Sequence, residues 1–436
     1  MKFRASEIAD AVGGELAGPD VEVDGAHIDS RQLSGGELFV PVIGARDGHD
    51  FIADALARGA AAYLTARPPQ GGTAIVVADP ARALTRLGAR ARNRLLHHVV
   101  GITGSVGKTS TKDLAAAALG RRHRTHASER SFNNELGVPL TLLNAPHDTD
   151  VTVVEMGARG KGHIAELCDV ARPTVGVVTT VEIVHTELFG DLVAVADAKG
   201  ELIEALPSSG TAVLNADNPR VLAMAERTVA DVLRFGLHDA DVRAEHVHVG
   251  RDLRPAFRLC TPWGDAEVEL AVRGAHNVHN ALAAASIALV TGVDLRDVAG
   301  GLGEATLSPW RMEMSLTPAG AIVLNDAYNA GPASVEAALR ALAHLDASRR
   351  VAVLGPMAEL GAHSKDEHRR IAGLADKLGI ELITVGAPDY GGIDVVDVDA
   401  ALVALGPLTD DEAVLVKGSR VAGLERLAER LLDTAP

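Results

Sequence analysis

The sequence predicts an α/β protein of three domains: a small α/β N-terminal domain, a central parallel-sheet domain built around a P-loop, and a C-terminal Rossmann-like domain. Three observations carry this. Apolar strand candidates alternate with Ala/Leu-rich helical stretches along most of the chain, the pattern of parallel sheets covered on both faces. A glycine loop, Thr103-Gly104-Ser105-Val106-Gly107-Lys108-Thr109, stands between a strand and a helix, the context a phosphate-binding loop requires. At 436 residues the chain exceeds what one hydrophobic core organises, so two or three domains are expected.

In chain order, residues 1–82 alternate short apolar runs (Leu38-Phe39-Val40, Ala60-Ala61-Ala62-Tyr63-Leu64, Ala74-Ile75-Val76-Val77) with turn signals. A helical stretch follows near residues 80–96. Then come the strand Val99-Val100-Gly101-Ile102, the loop, and a helix carrying Leu114, Ala118 and Leu119. Buried strands are expected at Val151-Thr152-Val153-Val154 and Val175-Gly176-Val177-Val178, and residues 242–272 read as short alternating strands. From about 311, strands at Ile322-Val323-Leu324, Val351-Ala352-Val353-Leu354, Leu382-Ile383-Thr384-Val385 and Val414-Leu415-Val416 are separated by helices, a second doubly wound domain. The expected domains are therefore 1–82, 83–310 and 311–436.

Composition excludes several classes. At 47% hydrophobic and 23% charged the chain is globular, neither disordered nor fibrous. A net charge of −16 is the opposite of a nucleic-acid footprint, although one local glycine loop can still hold a phosphate. Cys168 and Cys260 are too few for a disulfide framework or a zinc ribbon. The first seven residues contain no apolar run, so no signal peptide is expected, and no stretch reaches the ~18 apolar residues that span a bilayer. The expectation is a cytoplasmic monomer with neither nucleic acid nor membrane as partner.

The loop carries the chemistry. Its glycines let backbone N–H groups face phosphates, the helix N-terminus adds its positive end, and Lys108 supplies a mobile charge. Thr109 would hold Mg²⁺ through its hydroxyl. The strict pattern wants a glycine where Ile102 stands, with Gly101 one residue early, so the competing reading is a glycine turn with a chance Gly-Lys-Thr. Glu155 ends a strand, where open α/β sheets place ligand groups. It could bind the metal of the nucleotide or simply be solvated.

Further segments resemble one family. Ser131-Phe132-Asn133-Asn134-Glu135-Leu136-Gly137, Val154-Glu155-Met156-Gly157, His185-Thr186-Glu187-Leu188-Phe189-Gly190, Ala198-Lys199-Gly200-Glu201, Gly274-Ala275-His276-Asn277-Val278-His279-Asn280 and Ser308-Pro309-Trp310-Arg311-Met312 stand in the right order across essentially the whole chain. Together they resemble the Mur ligases of peptidoglycan synthesis. Asp326-Ala327-Tyr328-Asn329-Ala330, Glu359-Leu360-Gly361 with His368, and Leu415-Val416-Lys417-Gly418-Ser419-Arg420 are similar to the branch that adds D-alanyl-D-alanine to UDP-N-acetylmuramoyl-tripeptide.

The resemblance implies an ATP-dependent, ADP-forming amide ligase working through an acyl phosphate. By it, Gly104, Ser105, Val106, Gly107, Lys108, Thr109 and Ser110 surround the ATP phosphates, Asn277 reaches adenine, Asp326 the ribose and Arg311 a phosphate. Thr109, Glu155, His185 and a Lys199 carbamylated by CO₂ would hold Mg²⁺, with Asn134 near the reacting groups. The stretches around Asp29-Ser30-Arg31 and Asp47-Gly48-His49 resemble the UDP-sugar domain, so Ser30, Arg31, Asp47 and His49 are the expected contacts of the UDP-linked muramoyl peptide. The C-terminal domain would bind the incoming amine. Asn325, Gly331, Pro356, Thr180 and Glu182 depart from the branch pattern. Two alternatives stay open: a related ligase joining another carboxylate and amine in another pathway, and a nucleotide-binding regulator without turnover.

Overall fold

The computed structural model describes residues 1–95, 97–129, 131–182 and 191–433. In the N-terminal domain, β1 (Lys2–Arg4) pairs antiparallel with β3 (Glu22–Asp24). A five-stranded sheet follows the order β2 (Glu15–Ala17), β7 (Ala74–Val76), β6 (Ala62–Thr65), β5 (Leu38–Phe39), β4 (Ala26–His27). The three apolar runs read from this region are all strands. The helix Pro80–Arg92 comes next, capped by Asp79, whose carboxylate accepts the N–H groups of Ala81 and Arg82. The expected boundary at 82/83 falls inside this helix. Its apolar residues Leu84, Leu87 and Ala91 join one core with Ile8 and Leu64 before it and Leu142 and Val154 after it. Only glycine fits at Gly88, because a Cβ there would lie 2.6 Å from Cβ of Pro139. The first and second domains thus share a hydrophobic core rather than meeting at a linker.

The central sheet has nine strands. From one edge, β9 (Thr125–Ala127), β10 (Val151–Glu155), β8 (His98–Thr103), β11 (Val175–Val178), β12 (Thr211–Asn215), β13 (Asp231–Gly236) and β14 (Val242–Val249) run parallel. β15 (Pro255–Thr261) and β16 (Gly264–Glu269) continue it antiparallel, so the alternating stretch at 242–272 extends the central sheet. β8 is buried from Val99 to Thr103, which is why it reads as a continuous apolar run. The chain leaves β8 first towards β9 and β10 and later returns to β11 on its other side. Such a switch opens a crevice at the carboxyl ends of the strands, where the P-loop follows β8 and Glu155, paired with Ile102, ends β10.

The C-terminal sheet has the order β17 (Glu313–Leu316), β18 (Ile322–Asn325), β22 (Glu412–Lys417), β19 (Arg349–Leu354), β20 (Glu381–Val385), β21 (Ile393–Val395). All pairings are parallel except that of β17. One apolar cluster covers each face. The four strands read from the sequence are its interior; the edges β17 and β21 were not expected, being short and largely exposed. Among the described residues no helix is long and apolar enough to cross a membrane.

Candidate active site

The loop after β8 is shaped by contacts that exclude side chains at two glycines. Gly104 has φ 148°, and a Cβ there would lie 1.9 Å from Oγ1 of Thr179; Gly107 has φ 87°, and a Cβ would lie 2.4 Å from Oδ1 of Asn280. The N–H of Ser105 donates to the carbonyl of Thr180 at 2.9 Å, the N–H of Val106 to its hydroxyl at 3.3 Å, and the N–H of Glu182 to Oγ of Ser105 at 2.9 Å. Thr180 and Glu182, two departures from the branch pattern, therefore brace the loop. With the Ser105 and Val106 amides spent in this way, the donors best placed for an anion are at the start of the helix Lys108–Gly120, including those of Lys108, Thr109 and Ser110.

Lys108 folds back over the loop, its Nζ donating to the carbonyl of Gly104 at 2.8 Å. Burial, with a contribution from Arg311, draws its ammonium below the usual lysine range, while Glu155 and Glu359 oppose that. Glu155 is 1% exposed. Its Oε2 accepts from the hydroxyl of Thr109 at 2.7 Å and its Oε1 from Nδ2 of Asn133 at 2.8 Å. A buried carboxylate beside a hydroxyl is a hard oxygen set of the kind Mg²⁺ prefers. Among the described residues no group of three His, Cys, Asp or Glu side chains forms a metal cluster. Lys199, 3% exposed on the helix Leu192–Glu204, is held well below its usual pKa by burial and by the charge of Lys108. His185 lies outside the described residues.

Asn134 lies beside Asn133, and its Oδ1 accepts the N–H groups of Leu136 and Gly137 at the start of the helix Gly137–Asn144. The neighbouring Asn133 is the one that reaches Glu155. Asn277 is 1% exposed, with Nδ2 on the carbonyl of Arg273 and Oδ1 accepting from Asn280 at 2.7 Å. Asn280, one helical turn on, also touches Thr111 behind the loop. Sequence reasoning passed over both Asn133 and Asn280, although each stands in a segment already singled out.

The C-terminal domain reaches this crevice. The hydroxyls of Ser131 and Tyr328 are in contact, and the guanidinium of Arg311 lies 4.2 Å from the centre of the Tyr328 ring. Arg311 Nε is buried with no hydrogen-bond partner among the described residues. Asp326 accepts from Lys417 at 2.6 Å and from the N–H of Met312 at 3.1 Å, so both its oxygens are engaged within the domain.

The N-terminal residues stand apart. The Ser30 hydroxyl donates to Asp54, while Arg31 pairs with Asp29 and is largely exposed. His49 is 2% exposed; its Nδ1 faces Asp47 at 2.7 Å and its Nε2 accepts the N–H of Ala66 at 3.0 Å. Asp47 and His49 therefore hold their loop closed, and His49 has no ring nitrogen left for a ligand. A cleft of about 180 Å³ between the first two domains is lined by His27, Gln32, His126, Glu129 and Asn144. Another of about 450 Å³ opens at the ends of β19 and β20, lined by Pro356, Met357, Glu359, His368 and Asp389.

Three family models match in sequence: the Mur ligase family catalytic domain over residues 22–95, the Mur ligase middle domain over 102–288, and the Mur ligase glutamate ligase domain over 310–420. The chain belongs to the Mur ligase family. The UDP-N-acetylmuramoyl-tripeptide–D-alanyl-D-alanine ligase of Mycobacterium tuberculosis (strain ATCC 25618 / H37Rv) is 40% identical over 99% of this chain and 98% of its own length. The Escherichia coli (strain K12) enzyme of the same name is 36% identical, with 98% of each covered. Among solved structures, MurF from Acinetobacter baumannii superposes with a TM-score of 0.90 at 29% identity, covering 100% of this chain and 99% of that one. MurF of Thermotoga maritima in complex with ADP gives 0.80 at 26% identity, covering 94% and 97%. In this Mur ligase, then, the crevice at the switch of the central sheet brings together Lys108, Thr109, Glu155 and Arg311 from segments far apart in sequence.

Proposed function

We propose that this Mur ligase joins D-alanyl-D-alanine to UDP-N-acetylmuramoyl-tripeptide in peptidoglycan precursor synthesis, converting ATP to ADP and phosphate. The observation that carries the reading is 40% identity, over 99% of the chain, to a ligase named for that reaction. A ligase recruited to another pathway is not favoured, because relatives of this one name cover nearly the full length. The cleft between the first two domains, lined by His27 and Gln32, takes part of the UDP-linked peptide, and the pocket at the ends of β19 and β20 takes the dipeptide. The enzyme works as a cytoplasmic monomer.

The γ-phosphoryl group of ATP passes to the peptide carboxylate as ADP leaves; the neutral dipeptide amine then attacks the acyl carbon, gives up a proton to solvent, and inorganic phosphate departs. Two anionic partners must approach, so cations have to converge on the transferring group. Lys108 and Arg311 supply them from opposite domains, and the first turn of the helix Lys108–Gly120 adds N–H donors. Thr109 and Glu155 fit Mg²⁺, which when bound neutralises charge on the phosphates. Lys199 fits a carbamate, because its buried environment favours the neutral amine that adds to CO₂. Contact between Ser131 and Tyr328 helps exclude water from the acyl phosphate. Phosphate release measured against a panel of carboxylates and amines tests the reading. Release is expected only with UDP-N-acetylmuramoyl-tripeptide and D-alanyl-D-alanine together; equal release with an unrelated pair refutes it.

A further inference from the structure

Lys417 ends β22 with its side chain 3% exposed. A buried ammonium has to be matched by acceptors, and here they all come from one turn. Its Nζ donates to Oδ2 of Asp326 at 2.6 Å and to the carbonyl of Asn329 at 2.9 Å. That turn holds Tyr328, the ring over which Arg311 lies. Asp326 passes the connection on, because its Oδ1 accepts the N–H of Met312, the residue after Arg311.

The linker at this point is strained. Trp310 has φ 63° and Met312 φ 52°, so Arg311 stands between two non-glycine residues in left-handed conformations. Such residues persist only where their surroundings hold them. Met312 is held by Asp326. Trp310 is held by the N–H of Tyr328 on its carbonyl at 3.2 Å and by Arg420, 4.5 Å from its ring centre. Every one of these restraints on Arg311 comes from the C-terminal domain, and Lys417 grips the turn that supplies most of them.

We propose that Lys417 is a positioning residue for Arg311: through Asp326 and the Met312 N–H it fixes the strained linker so that the Arg311 guanidinium faces Lys108 and the phosphates. The inference rests on the reading of Arg311 as a phosphate contact. Lys417 itself touches no substrate. Its removal frees the linker to relax and leaves Arg311 misdirected, although every group that meets ATP is still present.

A double-mutant cycle on the full-length enzyme tests this, with kcat and KM for ATP read from phosphate release and folding checked by thermal melting. Lys417→Met is expected to lower kcat by about 10- to 100-fold, less than the ~10²–10³-fold that outright loss of one preorganised donor costs, because Arg311 is misdirected and not removed, with KM for ATP changed by less than about threefold. In an Arg311→Ala background the same change is expected to cost less than about twofold, because the group it acts through is already gone. If Lys417→Met fails to fold, Lys417→Leu, which likewise has no donor for Asp326, takes its place in the cycle. Equal losses in both backgrounds, or wild-type turnover of the Lys417 variant, overturn the inference. Wild-type turnover of Arg311→Ala refutes instead the phosphate reading on which it rests.

Discussion

Lys108 is the side chain on which the phosphate chemistry turns. It bends back to the Gly104 carbonyl, so its ammonium stands over the loop before any ligand arrives. Lys108→Ala removes this cation without opening a strand or a helix. Turnover should fall by about 10²–10³-fold or more while the melting temperature stays within a few degrees; turnover near wild type would show that the loop does not hold the transferring phosphate. Lys199 offers a second test. Lys199→Ala should be nearly inactive and regain part of its turnover with millimolar short carboxylic acids, which replace the carbamate carboxylate. Full activity without additive would count against the modification. The cysteines bear on neither. Burial raises the Cys168 thiol to about 12 and leaves that residue 3% exposed, so mass spectrometry after iodoacetamide at mildly alkaline pH should find Cys168 unmodified in folded enzyme and alkylated in denaturant.

Among elements, the helix Pro80–Arg92 was legible and its docking was not. The helix Pro80–Arg92 announces itself by a run of Ala, Leu and Arg, all good helix formers. Nothing in that composition says that it packs on Pro139 of the next domain. Gly88→Val would push an isopropyl group into that contact, and a destabilisation of about 1–3 kcal/mol is expected, read as a lower midpoint in urea. No change in midpoint would mean that the interface yields more easily than the 2.6 Å clearance suggests. The edge strands β17 and β21 were missed for a related reason. Interior strands of a parallel sheet are apolar on both faces, whereas an edge strand such as Ile393–Val395 is set by pairing with its neighbour and carries little pattern of its own.

At the scale of the whole molecule, the crevice is completed by a domain that begins about 200 residues after Lys108 in sequence, beyond any local folding unit. Tyr328 meets Ser131, and Arg311 comes within electrostatic reach of Lys108, only because the C-terminal domain docks on the central one. Inter-domain contacts of this kind allow relative motion, and closure keeps a reactive acyl phosphate from water. Small-angle scattering should show a smaller radius of gyration with ATP and the UDP-linked peptide together than without ligand. A radius indifferent to every substrate combination would contradict closure.

Local signals sufficed for the three-domain α/β class, the P-loop, Glu155 at a strand end and the segments that mark the family, because each depends on residues within a few positions of one another. Backbone spacing fixes a glycine loop, and an apolar run fixes a buried strand. Tertiary structure decided the rest. Asn133 meets Glu155, a contact that no spacing announces, while Oδ1 of the adjacent Asn134 accepts N–H groups at a helix start. His49 is spent on Asp47 and Ala66, and the role of Lys417 is invisible until β22 lies against the Asp326 turn. Partners contributed by distant segments satisfy a side chain's hydrogen bonds, and those partners are chosen by packing, which no local pattern encodes.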